Sequence, residues 1–238
     1  MISVQELIYE FKLNMNKVNR QENVDIPIED IIVYLNKAQL SWIKTRLNQN
    51  NIYKSGFESI RKRIDDLQVL KEENVKLSPS KSNDLLHIGY ECPLSDAPNY
   101  MFYLSSYAKA IKNSCSKILQ TDLIRNGELT TKYINDNYKP SFEWRYTLVT
   151  LGSDKLSVYT DSTFEIEDVY LTYLRYPQQI DLRGYVKFDG TDSVDSNSEL
   201  PEYAKSDLVD LAVKFAAMSN DNQSQAMYAE DRLNKNTE

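Results

Sequence analysis

The apolar positions change period twice along the chain: helical at first, alternating in the middle, and helical again towards the end. Ser3 and Glu6 have the spacing of a capping box, with Ile2 and Leu7 placed as its hydrophobic staple. Leu7, Ile8, Phe11 and Met15 follow at helical intervals and predict a first helix that ends before the polar run 19–23. Pro27 suits the first turn of a second helix, and Glu29 and Asp30 complement its dipole. Ile28, Ile31, Ile32, Leu35, Ala38, Trp42, Ile43 and Leu47 give that helix a wide apolar stripe. Phe57, Ile60, Ile64 and Leu67 predict a third, shorter helix ending near Leu70. Lys71 to Asp84 is charged and then Ser/Lys-rich, with Ser78-Pro79-Ser80, and reads as a solvated linker.

Beyond the linker, strands are expected over Tyr100 to Ile111 and Lys117 to Arg125. Asn126-Gly127 closes the second of these as a turn pair, and a short helix follows over Leu129 to Asp136. Clearer strands run over Trp144 to Leu151, Leu156 to Thr160 and Phe164 to Tyr176. Gly152-Ser153-Asp154 and Asp161-Ser162 between them read as hairpin joints. The last strand is bulky on both parities, with Val169, Leu171 and Tyr173 against Tyr170, Leu174 and Tyr176. Such a strand needs cover on both faces, and the second cover is expected from another subunit. Asp189 to Ser198 is a loop by composition. Leu200-Pro201-Glu202 then opens a helix lined by Ala204, Leu208, Leu211, Ala212, Phe215 and Ala216, and a last helix carries Met227 and Leu233.

These elements predict an α+β fold: helices from both termini packed together, with an antiparallel β-sheet or small β-sandwich inserted between them. The expected regions are an N-terminal helical region (1–84), an antiparallel β region (85–181), an acidic loop (182–199) and C-terminal helices (200–238).

Composition narrows the function classes. With 41% hydrophobic and 26% charged residues, the 238-residue chain has the balance of a globular protein. No apolar run approaches the ~20 residues that span a bilayer, and Met1 to Glu6 lacks the pattern of a signal peptide, so a cytosolic, membrane-free chain is expected. Cys92 and Cys115 are too few for a disulfide framework or a four-cysteine zinc site. A net charge of −7 argues against tight, sequence-independent DNA binding, which relies on Lys and Arg neutralising phosphates. Seventeen tyrosines hint at an assembly component, because tyrosine supplies rigid amphipathic contact area at interfaces.

Constellations for chemistry are scarce. His87 is the only histidine, which excludes a two-histidine metal site, and it lies in the apolar run Leu85-Leu86-His87-Ile88. The six glycines are too scattered for a phosphate-cradling loop. Asp189, Asp192 and Asp195 could ligate a hard cation, but they depart from the EF-hand pattern and read as a polar hinge loop. Asp161, Glu165, Glu167 and Asp168 could pair as acid and base, yet carboxylates at strand joints are more often solvated. Arg61-Lys62-Arg63, next to Asp65-Asp66, reads as a solvated helix face. No catalytic, cofactor or metal site is therefore expected.

One stretch carries a family likeness. A strand ends in Tyr173-Leu174-Arg175-Tyr176-Pro177, an acidic Gly-containing loop follows, and Leu200-Pro201-Glu202-Tyr203-Ala204 opens a helix running through Asp207-Leu208-Val209-Asp210-Leu211-Ala212-Val213. From Trp144 to Glu238 this resembles the adaptor or neck-ring proteins in the head-to-tail connector of short-tailed bacteriophages, those of crAss-like phages above all. The N-terminal helices share the likeness only loosely. The resemblance implies a non-enzymatic virion protein, assembled in the bacterial host cytoplasm into a ring, usually a dodecamer. Its partners would be further copies of itself, the portal protein and other neck or tail rings, with DNA passing through the bore without specific binding. Tyr173, Tyr176, Leu208 and Phe215 are the expected interface residues, and the face of Ala212, Ala216 and Ala217 suits docking on the portal or a neighbour. The rival expectations are a tail or baseplate protein and a carboxylate- or metal-dependent hydrolase.

Overall fold

The computed structural model describes residues 1–18, 26–47, 65–82, 87–187, 189–219, 227 and 229–231. The chain is an α+β protein. It divides into two compact units, one made of Met1–Val69 with Pro177–Glu238 and the other of Leu70–Tyr176.

The helical unit contains α1 (Val4–Val18) and α2 (Ile28–Leu47) from the N-terminal part, and a third long helix, Lys205–Ser219, from the C-terminal part. Lys205–Ser219 packs against both α1 and α2, so helices from the two ends of the chain share one core. Ile2, Leu7 and Phe11, then Ile31, Leu35, Ala38 and Ile43, then Leu208, Ala212 and Ala216 are all fully buried. Polar residues on α2 hold the returning chain. Asn36 Nδ2 donates to Ile180 O at 2.8 Å and Asn36 Oδ1 accepts from Ile180 N at 2.9 Å. Gln39 Nε2 donates to Gln178 O at 2.9 Å, while its Oε1 accepts from Ser198 Oγ at 2.8 Å. Asn36 and Gln39 lie three apart and so share a helix face, which places both amides along one stretch of extended backbone. The α1 N-terminus is met by Asn197, whose Oδ1 accepts the Val4 N–H at 3.0 Å, while Glu6 pairs with Lys205 at 3.0 Å.

Of the third predicted helix, Asp65 to Leu67 is helical and Gln68–Leu70 forms a 3₁₀ turn; Phe57, Ile60 and Ile64 lie outside the described residues. Met227 and 229–231 are helical, as expected of the last helix, and Leu233 lies outside the described residues.

The second unit is an eight-stranded mixed sheet: β1 (Lys71–Leu77), β2 (Ser80–Ser82), β3 (Gly89–Pro93), β4 (Tyr100–Lys112), β5 (Cys115–Leu123), β6 (Tyr146–Leu151), β7 (Lys155–Tyr159) and β8 (Glu165–Arg175). Their spatial order is β1-β8-β4-β5-β6-β7-β3-β2. The sheet is curled, so Leu77 near one edge and Tyr90 and Cys92 near the other join a single core with Ala108, Leu119, Val149, Leu156, Val169, Leu171 and Tyr173.

The structure departs from four expectations. First, Lys71 to Asp84 is not a linker: its described residues supply both edge strands, and β1 pairs with β8 from Lys71↔Leu174 to Leu77↔Val169. The run Lys71-Glu72-Glu73-Asn74, with an irregular register between Glu72 and Val75, is what a protected edge needs, since charge and bulges prevent edge-to-edge pairing. Second, β5 and β6 are parallel, from Gln120↔Tyr146 to Leu123↔Val149, so the sheet is mixed rather than antiparallel. Parallel neighbours need a long crossover, and the Asn126–Glu128 turn and the short helix α3 (Leu129–Ile134) provide it. The Lys205–Ser219 helix is therefore α4. Third, Asp161-Ser162 is not a hairpin joint, because β7 pairs with β6 and β3 whereas β8 pairs with β4 and β1. Gly152-Ser153-Asp154 does join paired strands. Fourth, Leu171 to Leu174 of β8 are buried in the single chain without a second subunit, whereas Tyr170 is half-buried and Tyr176 exposed.

Candidate interaction surfaces

The four residues expected at an interface separate into two pairs. Tyr173 is fully buried, its ring tilted against Tyr100 with centroids 5.6 Å apart, and Leu208 is fully buried on α4. Both belong to this chain's own cores rather than to an exposed surface. The Ala212, Ala216 and Ala217 face is buried as well, used for close packing inside the helical unit rather than left for a partner. Tyr176, 49% exposed, does face solvent. Phe215 is half-buried, with Lys37 Nζ 4.5 Å from its ring centroid.

The sheet unit has a more prominent apolar surface. On the face opposite the core, β4 exposes Phe102, Leu104 and Tyr107, and β5 exposes Ile118. The other half of that outer face is covered: Leu129 and Tyr133 of α3 pack with Ile124, Leu148 and Tyr159.

Beside β5 stands a turn that presents Trp144 with 86% of its surface exposed. The turn is held from several sides. Ser141 and Tyr146 exchange backbone hydrogen bonds of 2.8 and 3.0 Å, Arg145 adopts a φ of 53°, and Gln120 N donates to Arg145 O at 2.8 Å. Phe142 is buried in the sheet core, with Lys117 Nζ 4.5 Å from its ring centroid. Glu143 pairs with Lys117 at 3.2 Å and Lys112 at 3.5 Å. A large indole on an anchored turn can bind without first being ordered, the property expected of an interface anchor. Its sequence signal was the run Ser141-Phe142-Glu143-Trp144-Arg145, of which the pattern placed Trp144 and Arg145 at the start of a regular strand.

In the helical unit, the 181–196 segment folds back on itself. Asp181 and Ser196 exchange backbone hydrogen bonds of 3.0 and 2.9 Å, and Ser193 N donates to Tyr185 O at 3.0 Å. The buried carboxylate of Asp181 organises it. Its Oδ1 accepts from Tyr185 Oη at 2.7 Å and Leu182 N at 2.9 Å, and its Oδ2 from Val194 N at 3.1 Å and Lys187 Nζ at 2.8 Å. Burial pushes this carboxyl up, but the hydrogen bonds from Lys187, Tyr185, Val194 and Leu182 outweigh burial and hold it below the ordinary carboxylate value. Ser193 Oγ accepts the Gly184 and Tyr185 amides, both at 3.0 Å. Gly184 takes a φ of 131°, a backbone state that only glycine reaches easily. Between the arms lies an open hollow of about 550 Å³, lined by Arg183, Tyr185 and Val186 on one side and Asp192, Val194 and Asp195 on the other.

The candidate chemical groups make hydrogen bonds and ion pairs within the chain. Asp189 Oδ1 accepts from Thr191 N and Oγ1 at 3.0 and 2.6 Å, and Asp195 Oδ1 accepts from Arg183 N at 2.8 Å. No cluster of three or more potential metal ligands occurs among the described residues. Asp161 caps Thr163, Glu167 pairs with Lys109 at 2.7 Å, and Asp168 pairs with Lys76 at 2.7 Å. His87 stacks on Tyr133 with centroids 4.2 Å apart. Arg61-Lys62-Arg63 lies outside the described residues. No helix among them is long and apolar enough to cross a membrane.

The fold thus defines an α+β protein of two units, each presenting an ordered, partly apolar surface feature. Comparison with protein-family models and with curated proteins finds no match to this sequence.

Proposed function

We propose that this chain is a non-enzymatic structural subunit, one copy of an oligomeric ring in the head-to-tail connector of a short-tailed bacteriophage. In that role it bridges portal and tail and forms part of the DNA conduit. The family likeness rests on the strand end Tyr173-Leu174-Arg175-Tyr176-Pro177 and the helix opening Leu200-Pro201-Glu202-Tyr203-Ala204. The structural observation that carries the assembly reading is the exposed outer face of β4 and β5 with the anchored Trp144 beside it. Isolated apolar side chains are normal on any surface, whereas several on one sheet face beside a braced tryptophan mark an interaction site. The net charge of −7 supports a conduit that repels its cargo and lets it slide.

The test is the solution mass of the full chain, alone and mixed with the portal protein of the same genome. A closed ring, or stoichiometric capture by the portal, is the expected result. Indifference to the portal together with absence from purified particles overturns it. Presence in particles, but at the tail tip in threefold or lower symmetry, replaces it with the baseplate reading.

A further inference from the structure

We propose that neighbouring copies of this chain join head to tail, the Trp144 side chain of one copy seating in the hollow between the 181–187 and 189–196 arms of the next. The inference rests on the reading that the chain assembles with itself, and adds which two surfaces meet.

Three observations favour a second copy as the occupant. The first is form. Trp144 is the most exposed aromatic side chain among the described residues, on a turn braced by Phe142 and Glu143. The hollow, at about 550 Å³, falls in the size range of ligand pockets and is ample for an indole together with part of its turn. The second is chemistry. Val186 and Val194 offer exposed apolar groups that an indole would cover, and the Arg183 guanidinium is a suitable partner for its face.

The third is charge. Beside Trp144, Lys112 and Lys117 share the single carboxylate of Glu143 and Arg145 is exposed, so basic side chains outnumber acidic ones on the turn and its braces. Around the hollow, Lys187 is already matched by Asp181, and Asp192 and Asp195 outnumber Arg183, leaving the rim acidic. Opposite residual charges on knob and hollow would orient the encounter and oppose a knob-to-knob pairing.

The knob belongs to the sheet unit and the hollow to the helical unit, so the contact joins two different patches. A heterologous contact of this kind repeats from copy to copy and generates a ring when its rotation closes, whereas an isologous contact stops at a dimer.

The experiment uses the full chain carrying Cys115→Ser, so that the exposed native thiol does not interfere. Trp144→Cys and Val194→Cys versions are mixed and oxidised, with and without portal protein. The expected product is a 144–194 disulfide between copies, in preference to 144–144. In parallel, Arg145→Asp and Asp192→Arg should each weaken self-association at least tenfold by sedimentation, and a mixture of the two should recover much of the loss. Association without a 144–194 link, and without charge-swap recovery, overturns this contact while leaving the ring reading in place. No association under any of these conditions counts against both.

Discussion

Tyr173 Oη donates a 2.9 Å hydrogen bond to the carbonyl oxygen of Pro98. The ring behind that hydroxyl is fully buried in the sheet core, so its polar tip is satisfied inside the chain. Tyr173→Phe should destabilise the protein by about 1 kcal/mol, the net worth of one such bond. Tyr173→Ala should cost about 3–5 kcal/mol through the cavity it leaves. Urea unfolding of both variants reads the difference. Unchanged self-association in the Phe variant would fit a core role, and a large loss there would restore Tyr173 as a contact residue.

The Asp181 carboxylate should make the 181–196 segment acid-sensitive. Its value in the folded chain is depressed, so its stabilising contribution is complete above the ordinary carboxylate value of about 4 and is lost as pH falls through the lower folded value. Protection of the Leu182 and Val194 amides, whose N–H groups it accepts, should fall below about pH 4 when exchange is compared with the intrinsic rate at each pH. Asp181→Ala should show fast exchange at neutral pH already, and unchanged exchange there would sink the assignment.

Arg46 ties three parts of the helical unit together. From α2 its Nε lies 3.1 Å from Asp66 and its Nη2 3.4 Å from Asp207, which also accepts Trp42 Nε1 at 3.1 Å. Asp66 further accepts the Tyr203 hydroxyl. Arg46→Ala would leave the nearly buried Asp66 charge without its cation and should destabilise by roughly 2–4 kcal/mol in urea unfolding. Arg46→Lys should restore only part of this, because a single ammonium cannot reach in two directions as the guanidinium fork does.

The two cysteines should differ sharply in reactivity. Cys92 is fully buried, and burial pushes its thiol up to about 12, whereas Cys115 is exposed at the β4–β5 joint. A thiol reagent at pH 8 should label one site quickly in the native chain and the second only on unfolding. Rapid labelling of both would show that the sheet core opens readily.

Much of this architecture was legible from local pattern. The stripe from Ile31 to Ile43 predicted α2, Pro201 and Glu202 announced the approach to α4, and Gly152-Ser153-Asp154 marked a true hairpin. Each of these signals acts between residues close in sequence, through side-chain period or turn chemistry. The failures share the opposite cause. Lys71-Glu72-Glu73-Asn74 has no strand-like composition, and becomes β1 only because β8 offers a free edge about a hundred residues later. Ser162 sits at a φ of 69° where the chain bends, yet nothing local could say that β7 and β8 belong to different parts of the sheet.

Two of the four expected interface residues, Tyr173 and Leu208, lie in the chain's own cores for a related reason. Tyrosine composition reports that amphipathic contact area exists and not on which side of a core it falls, so Tyr173 and Tyr176 looked alike although one is buried and the other exposed. By itself, then, the sequence determined an α+β chain with helices at both ends and an inserted sheet. Only the tertiary structure decided the strand order, the use of Asp181 as a brace and the exposure of Trp144. These depend on pairings between residues far apart in the chain, whose energies no local window contains.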